Sequence, residues 1–284
     1  METKWVTFID PDDRIEINFF YHMERAIKKS KNPKILSSYI KLLSNNGLDI
    51  KDKHPLRYKF TNNIVSFTVN DVNSYINLSA ASSIFDYEVI YDNKLFFDER
   101  LKVSFEDAKF IFNYISCIEE GVFLYVAKSV YLYRKHANST ISKSWIDKRK
   151  YIDTFKYGYL ESLKLGENKT IFKDFIKNTV LYDISNYLKF LLNKDSFLDF
   201  LETDLAEFHS LLLLTIKQIG NKELILKSNI DYISKAFILY YLEQGTKKSN
   251  ILFVFENNHD QIPFFFFCYK IFFLVFLIKI VWGK

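Results

Sequence analysis

Three carboxylates close an apolar stretch near the start of the chain. Trp5-Val6-Thr7-Phe8-Ile9 runs directly into Asp10-Pro11-Asp12-Asp13. Acids at this spacing beyond a strand suit a divalent cation, because hard ions such as Mg²⁺ take oxygen ligands and keep substrate phosphates as co-ligands. The alternative is a helix N-cap, a role one Asp would fill and three around a proline exceed. A second pair, Glu106-Asp107, follows Phe97-Asp98-Glu99-Arg100-Leu101 and opens a helical pattern. A carboxylate in a partly desolvated site can take a proton near neutral pH; the plainer reading is two acids complementing a helix N-terminus. A third group, Tyr133-Arg134-Lys135-His136, offers two cations suited to phosphate oxygens and an imidazole able to ligate a metal. Its plainer reading is a solvated basic loop.

Taken together, these elements resemble family-two glycosyltransferases with the GT-A fold. Asp10-Pro11-Asp12-Asp13 is similar to the Asp-x-Asp element of that family. Phe97-Asp98-Glu99 with Phe105-Glu106-Asp107-Ala108 resembles its acceptor-side element. Tyr131-Leu132-Tyr133-Arg134-Lys135-His136, followed by Asn138-Ser139-Thr140, resembles the segment that closes the catalytic domain. The matching region covers residues 5–145, and the variant most like it builds bacterial capsular polysaccharide or teichoic acid. The resemblance implies inverting transfer of a sugar from a nucleotide-diphosphate donor to a hydroxyl of a polysaccharide or teichoic acid acceptor. It implies Asp107 as general base, with Glu106 holding the acceptor or orienting Asp107. Asp10, Asp12 and His136 would hold Mg²⁺ or Mn²⁺, and Asp10, Arg134 and Lys135 would face the donor.

One departure accompanies the match. The family's nucleotide-binding βαβ segment precedes the Asp-x-Asp strand, whereas here that strand begins within a few residues of Met1. The expectation is an α/β, truncated GT-A core that lacks the base and ribose pocket, with a complementing N-terminal polypeptide as a partner. The competing function is a non-catalytic docking or scaffold fragment whose acidic motifs are relics.

Composition narrows the classes further. A hydrophobic fraction of 49% supports a packed core, and 7 Gly with 4 Pro in 284 residues favours a helix-rich chain. The net charge of +5 is scattered, without the concentrated basic face or module that nucleic-acid binding requires. A mild positive balance fits a position near an anionic membrane surface. Cys117 and Cys268 lie far apart in apolar contexts and read as buried thiols, not a disulfide framework. Glu2, Lys4 and Asp10 interrupt any early apolar run, so no secretory signal is expected and the location reads as cytoplasmic, peripheral on the inner face of the plasma membrane. The remaining histidines, His22, His54, His209 and His259, share no zinc-site spacing.

The periodicities place a buried strand at residues 5–9, a helix over 14–29 and a strand over 35–43. Residues 75–84, rich in small residues and serines, resemble the family's strand beneath the acceptor site. A helix is expected over 106–119 and strand-like stretches over 122–133. Residues 1–145 form the expected partial catalytic core and 146–250 an all-helical module, with helices over 147–163, 172–192, 197–219 and 224–242. Residues 251–284 form an apolar tail. Its stretch 263–282 approaches the roughly 20 residues of a membrane span, but Lys270 and Lys279 interrupt it, and a mid-span lysine costs about 2.5–3.5 kcal/mol. An interfacial anchor and the start of a truncated further domain are the other readings.

Overall fold

The computed structural model describes residues 4–135, 143–168, 172–193 and 204–244. The chain divides into two compact units, Met1–Val180 and Leu181–Lys284. The apolar tail, Cys268 and His136 lie outside the described residues. No helix among those described is long and apolar enough to cross a membrane.

The first unit is α/β, built on a mixed seven-stranded sheet. Its strands are β1 (Trp5–Thr7), β2 (Arg14–Ile15), β3 (Pro33–Leu43), β4 (Ile50–Lys51), β5 (Ile64–Thr68), β6 (Ser83–Asp86) and β7 (Val122–Arg134). The main path runs β1-β6-β3-β7-β2, with β4 on β3 and β5 on β7. The long central strands β3 and β7 are parallel, and the other pairs are antiparallel. This arrangement confirms the α/β class and the strand expected at residues 35–43, while the buried strand expected at 5–9 is confined to Trp5–Thr7 and is only half-buried.

Alternation along the strands gives each face its own partner. On one face, Leu36, Ile84, Leu124, Val126 and Tyr131 pack against Phe19, Met23 and Ala26 of helix α1 (Phe19–Lys29). On the other, Phe85 meets Phe110 and Tyr114 of helix α3 (Glu106–Ser116) edge-on at 5.5 and 5.0 Å. The short helix α2 (Tyr87–Asp92) follows β6, with Asp86 as its N-cap.

Two local expectations are corrected. The helix placed over residues 14–29 begins only at Phe19, with Asn18 at its N-cap, because Arg14 and Ile15 pair with Leu132 and Tyr131 of β7. Sheet pairing there overrides a helical period. Within 75–84, regular strand is confined to the segment from Ser83 onward; the residues before it form a buried polar cluster.

Beyond Trp145, helix α4 (Lys148–Asp153), a π-helical stretch (Thr154–Leu160) and helix α5 (Glu161–Asn168) follow one another without a break. Gly158 permits close approach here: a Cβ at that position would stand 2.9 Å from the Phe105 ring. Phe105 also meets Tyr159 edge-on at 4.7 Å. Helix α6 (Lys173–Asn193) starts in this unit, its Phe175 lying 5.3 Å from Phe112. The second unit contains helices α7 (Leu205–Ile219), α8 (Lys222–Lys227) and α9 (Tyr232–Gln244). Gly220, in the left-handed region at φ +57, ends α7, and the Asn221 side chain caps α8 by accepting from the Leu224 amide.

Candidate active site

The carboxylate turn is fixed from both sides. Behind it, Phe8 packs on Phe85, Phe97 and Phe110, which ties the end of β1 to α3. Ahead of it, the Asp13 amide donates to the Asp10 carbonyl at 3.1 Å and closes the turn. The Asp13 carboxylate then accepts from the Tyr131 hydroxyl at 2.6 Å and from the Arg134 amide at 2.7 Å. Arg134 also donates from Nε to the Asp12 carbonyl at 2.6 Å. Asp13 is thus a tie between the turn and β7. None of these acids caps α1.

Asp10 differs from Asp13. Its side chain lies at the exposed end of the turn, and burial against the turn followed by the charge of Asp12 raises its pKa. Asp13 is also raised by burial, but its bonds to Arg134 and Tyr131 oppose the rise.

Asp107 comes to the same place from α3. Its Oδ2 accepts the Ala80 amide at 2.9 Å, and the Ala81 amide adds a second bond. Burial pushes its carboxyl up to about 7, and the charges of Glu106 and then Asp10 add to the rise, while the two amides oppose it. The helix N-terminus should favour an anion, yet desolvation and like charge prevail. Phe105, at φ 74, turns the chain into α3 and supplies no side-chain cap.

The loop that carries Ala80 and Ala81 rests on buried polar side chains. The Asn77 amide donates to Ser37 Oγ and Ser83 Oγ, each at 2.9 Å, and its oxygen accepts the Ser79 amide at 3.2 Å. Tyr75 adds its hydroxyl to the Ser37 hydroxyl. Sequence reasoning missed this network. The available signal was Ser37-Ser38 between the apolar pairs Ile35-Leu36 and Tyr39-Ile40 of the central strand.

The motif around Asp98 plays another part. Asp98 receives Lys109 Nζ at 2.7 Å and Arg100 at 2.7 and 2.9 Å; both cations also reach Glu161 of α5. Hydrogen bonds from Arg100, then from Lys109, hold its carboxyl well below the ordinary range. The cluster joins α3 to α5.

Asp10, Asp12, Glu106, Asp107 and Arg134 are therefore brought into one neighbourhood, through the Asp12–Arg134 bond and the mutual repulsion of Asp10 and Asp107. Lys135 is exposed, its amide donating to the Leu43 carbonyl at 3.0 Å. Among the described residues, no group of three His, Cys, Asp or Glu side chains is arranged to hold a metal ion.

No protein-family model and no curated protein matches this sequence. Among solved structures, the chain is similar to S. aureus TarS at 16% identity, with 86% of this chain covered and a TM-score of 0.48. It spans 38% of the length of that protein. TarS 1-349 aligns at 18% identity over 86% of this chain and 64% of its own, with a TM-score of 0.49. TarS 1-349 in complex with UDP aligns at 18% identity over 89% and 70%, also with a TM-score of 0.49.

Proposed function

We propose that this chain carries the acceptor-side and metal-binding half of a glycosyltransferase with a GT-A type core. It would transfer a sugar from a nucleotide diphosphate to a hydroxyl of a bacterial surface polysaccharide or teichoic acid, with inversion. The observation that carries this reading is Asp107: a half-buried carboxylate, raised to about 7, with no cation among the groups that set it. A base poised near neutral pH is matched to removing a hydroxyl proton.

In this reading the acceptor hydroxyl approaches Asp107 with Glu106 beside it. The oxygen attacks the anomeric carbon as Asp107 takes the proton, the bond to the diphosphate breaks, and a single displacement inverts the centre. Asp10 and Asp12, with His136, would hold Mg²⁺ or Mn²⁺, which supplies Lewis-acid neutralisation of the leaving diphosphate. Arg134 and Lys135 place positive charge beside the same turn. A cytoplasmic site at the inner membrane face belongs to the same proposal.

The docking alternative draws on a separate observation. Among the described strands, β1 ends the sheet path, and Tyr87, Tyr91 and Phe96 beyond β6 are exposed at 41, 68 and 78%. An open strand edge with apolar neighbours suits the docking of a partner protein by added strands.

Calorimetry of the chain against UDP-, GDP- and CDP-linked sugars with Mn²⁺ tests the enzyme reading. It predicts micromolar binding of one nucleotide class. Asp107→Asn should leave that affinity within about twofold and lower turnover about a hundredfold or more. Near-normal turnover of Asp107→Asn would overturn the base assignment.

A further inference from the structure

A second cation meets Arg134 at the turn around Gly47, and the motifs discussed above leave it without a role. Arg14 stands on β2 opposite Leu132 of β7, so Arg134, two residues further, is its diagonal neighbour on the same face. Both side chains close on the turn between β3 and β4. That turn is well fixed: the Gly47 amide donates to the Ser44 carbonyl at 2.9 Å, Leu48 N to Asn46 Oδ1 at 3.0 Å, and Asp49 N to Ser44 Oγ at 3.0 Å. Gly47 takes φ +73, and a Cβ there would lie 3.2 Å from Arg134 Nη1 and 3.4 Å from Arg14 Nη2. The two guanidinium groups therefore flank one residue.

Their partners are all neutral. Arg14 Nη1 donates to the Gly47 carbonyl at 3.5 Å, while Arg134 donates to the carbonyls of Asp12 and Asn45 at 2.6 and 3.0 Å. Among the described residues neither guanidinium forms an ion pair, and Asp13 is turned to Tyr131 and the Arg134 backbone. Each guanidinium has five donors in a planar fork, so most remain available. Two like charges held against a rigid turn repel each other, and an oxyanion with several oxygens relieves that repulsion while engaging both forks.

We propose that Arg14, Arg134 and the Gly47 turn form a binding site for a phosphate-class oxyanion. A single carboxylate matches one fork; a tetrahedral phosphate presents oxygens to two. The same chemistry has two sources in the proposed reaction, the donor diphosphate and the phosphodiester of an anionic acceptor polymer. The site itself does not rest on the transferase reading, since inorganic phosphate probes it directly.

The test titrates the full chain, at low salt, with inorganic phosphate, pyrophosphate, glycerol phosphate and UDP, for the wild type, Arg14→Gln and Arg14→Lys. Thermal melting confirms that the variants fold, as expected for an exposed side chain. Loss of one charge-assisted contact predicts binding weakened about tenfold or more in Arg14→Gln, with partial recovery in Arg14→Lys. Parallel loss of pyrophosphate and UDP identifies the donor as the source. Loss of phosphate and glycerol phosphate with UDP unchanged identifies the acceptor. Arginine-dependent phosphate binding without any UDP binding keeps the site and removes the transferase reading. Failure of every probe to bind the wild type, or equal affinity in Arg14→Gln, overturns the site.

Discussion

Two acidic clusters sit at opposite ends of the same electrostatic scale. Asp98 and Glu161 are crossed by Arg100 and Lys109, and every acid oxygen that bonds there meets a cation. Asp10 and Asp107 face other carboxylates, and the amides that bond Asp107 offset its burial only in part. Both clusters lose hydration, yet the Asp98 carboxyl is held low and the Asp107 carboxyl is pushed up to about 7. Balanced charge ties helix to helix; unbalanced charge, which folding alone would avoid, is what a proton-transfer or cation site requires. Acid-rich sequence is common to both clusters, so the cations around it carry the distinction.

The largest expected effect lies on the balanced side. Lys109 is nearly buried and bonds Asp98, Glu161 and the Tyr157 carbonyl. Lys109→Met leaves two acids with the half-exposed Arg100 alone and should cost about 3 kcal/mol, read as a lower urea midpoint. A loss under about 0.5 kcal/mol would break the contrast.

Asp107→Asn should act in the opposite direction. Its folded pKa lies above the unfolded one, so the folded state binds the extra proton between about pH 4 and 7 and stability falls as pH rises through that interval. The variant does not ionise. It should be more stable than wild type by about 1–2 kcal/mol at pH 8, a figure discounted for partial exposure, and equal to it near pH 4. Urea denaturation at both pH values checks the sign.

Asp98→Asn supplies the mirror image at smaller size. The depressed folded pKa means a stabilising contribution present above the unfolded value near 4 and lost as pH falls toward the folded one. The variant should lose about 1 kcal/mol at pH 7 and converge on wild type in strong acid. Arg100→Gln, at a half-exposed position stacked on Tyr157, should cost least, about 0.5 kcal/mol, and less in high salt.

Much of this arrangement was legible in the residues. The apolar run before Asp10 and the long strand over 35–43 follow from pattern, and the helix over 172–192 follows from its three-and-four spacing. The single helix expected over 224–242 is instead two, α8 and α9, and the one expected over 147–163 passes through a π-helical stretch. The start of α1 was misplaced because Arg14-Ile15-Glu16 fits a helical period as well as a strand, and only the partner strand β7, over a hundred residues later, decides between them. Distance in sequence also hid Arg14 as a neighbour of Arg134, and Asn77 as the support beneath Ala80. The resemblance assigns roles to Asp10 and Asp12 but none to Asp13, whose bonds to Tyr131 and Arg134 make it the fixed acid of the turn. Side-chain pairing across the sheet, rather than residue type, separates these roles.

The most direct measurement is a carboxyl ¹³C NMR titration of the chain, with Asp98 and Asp107 assigned through Asp98→Asn and Asp107→Asn. The account predicts Asp107 titrating near 7, with Asp98 still ionised well below the usual carboxylate range. Two midpoints that coincide near the ordinary value of about 4 would contradict it.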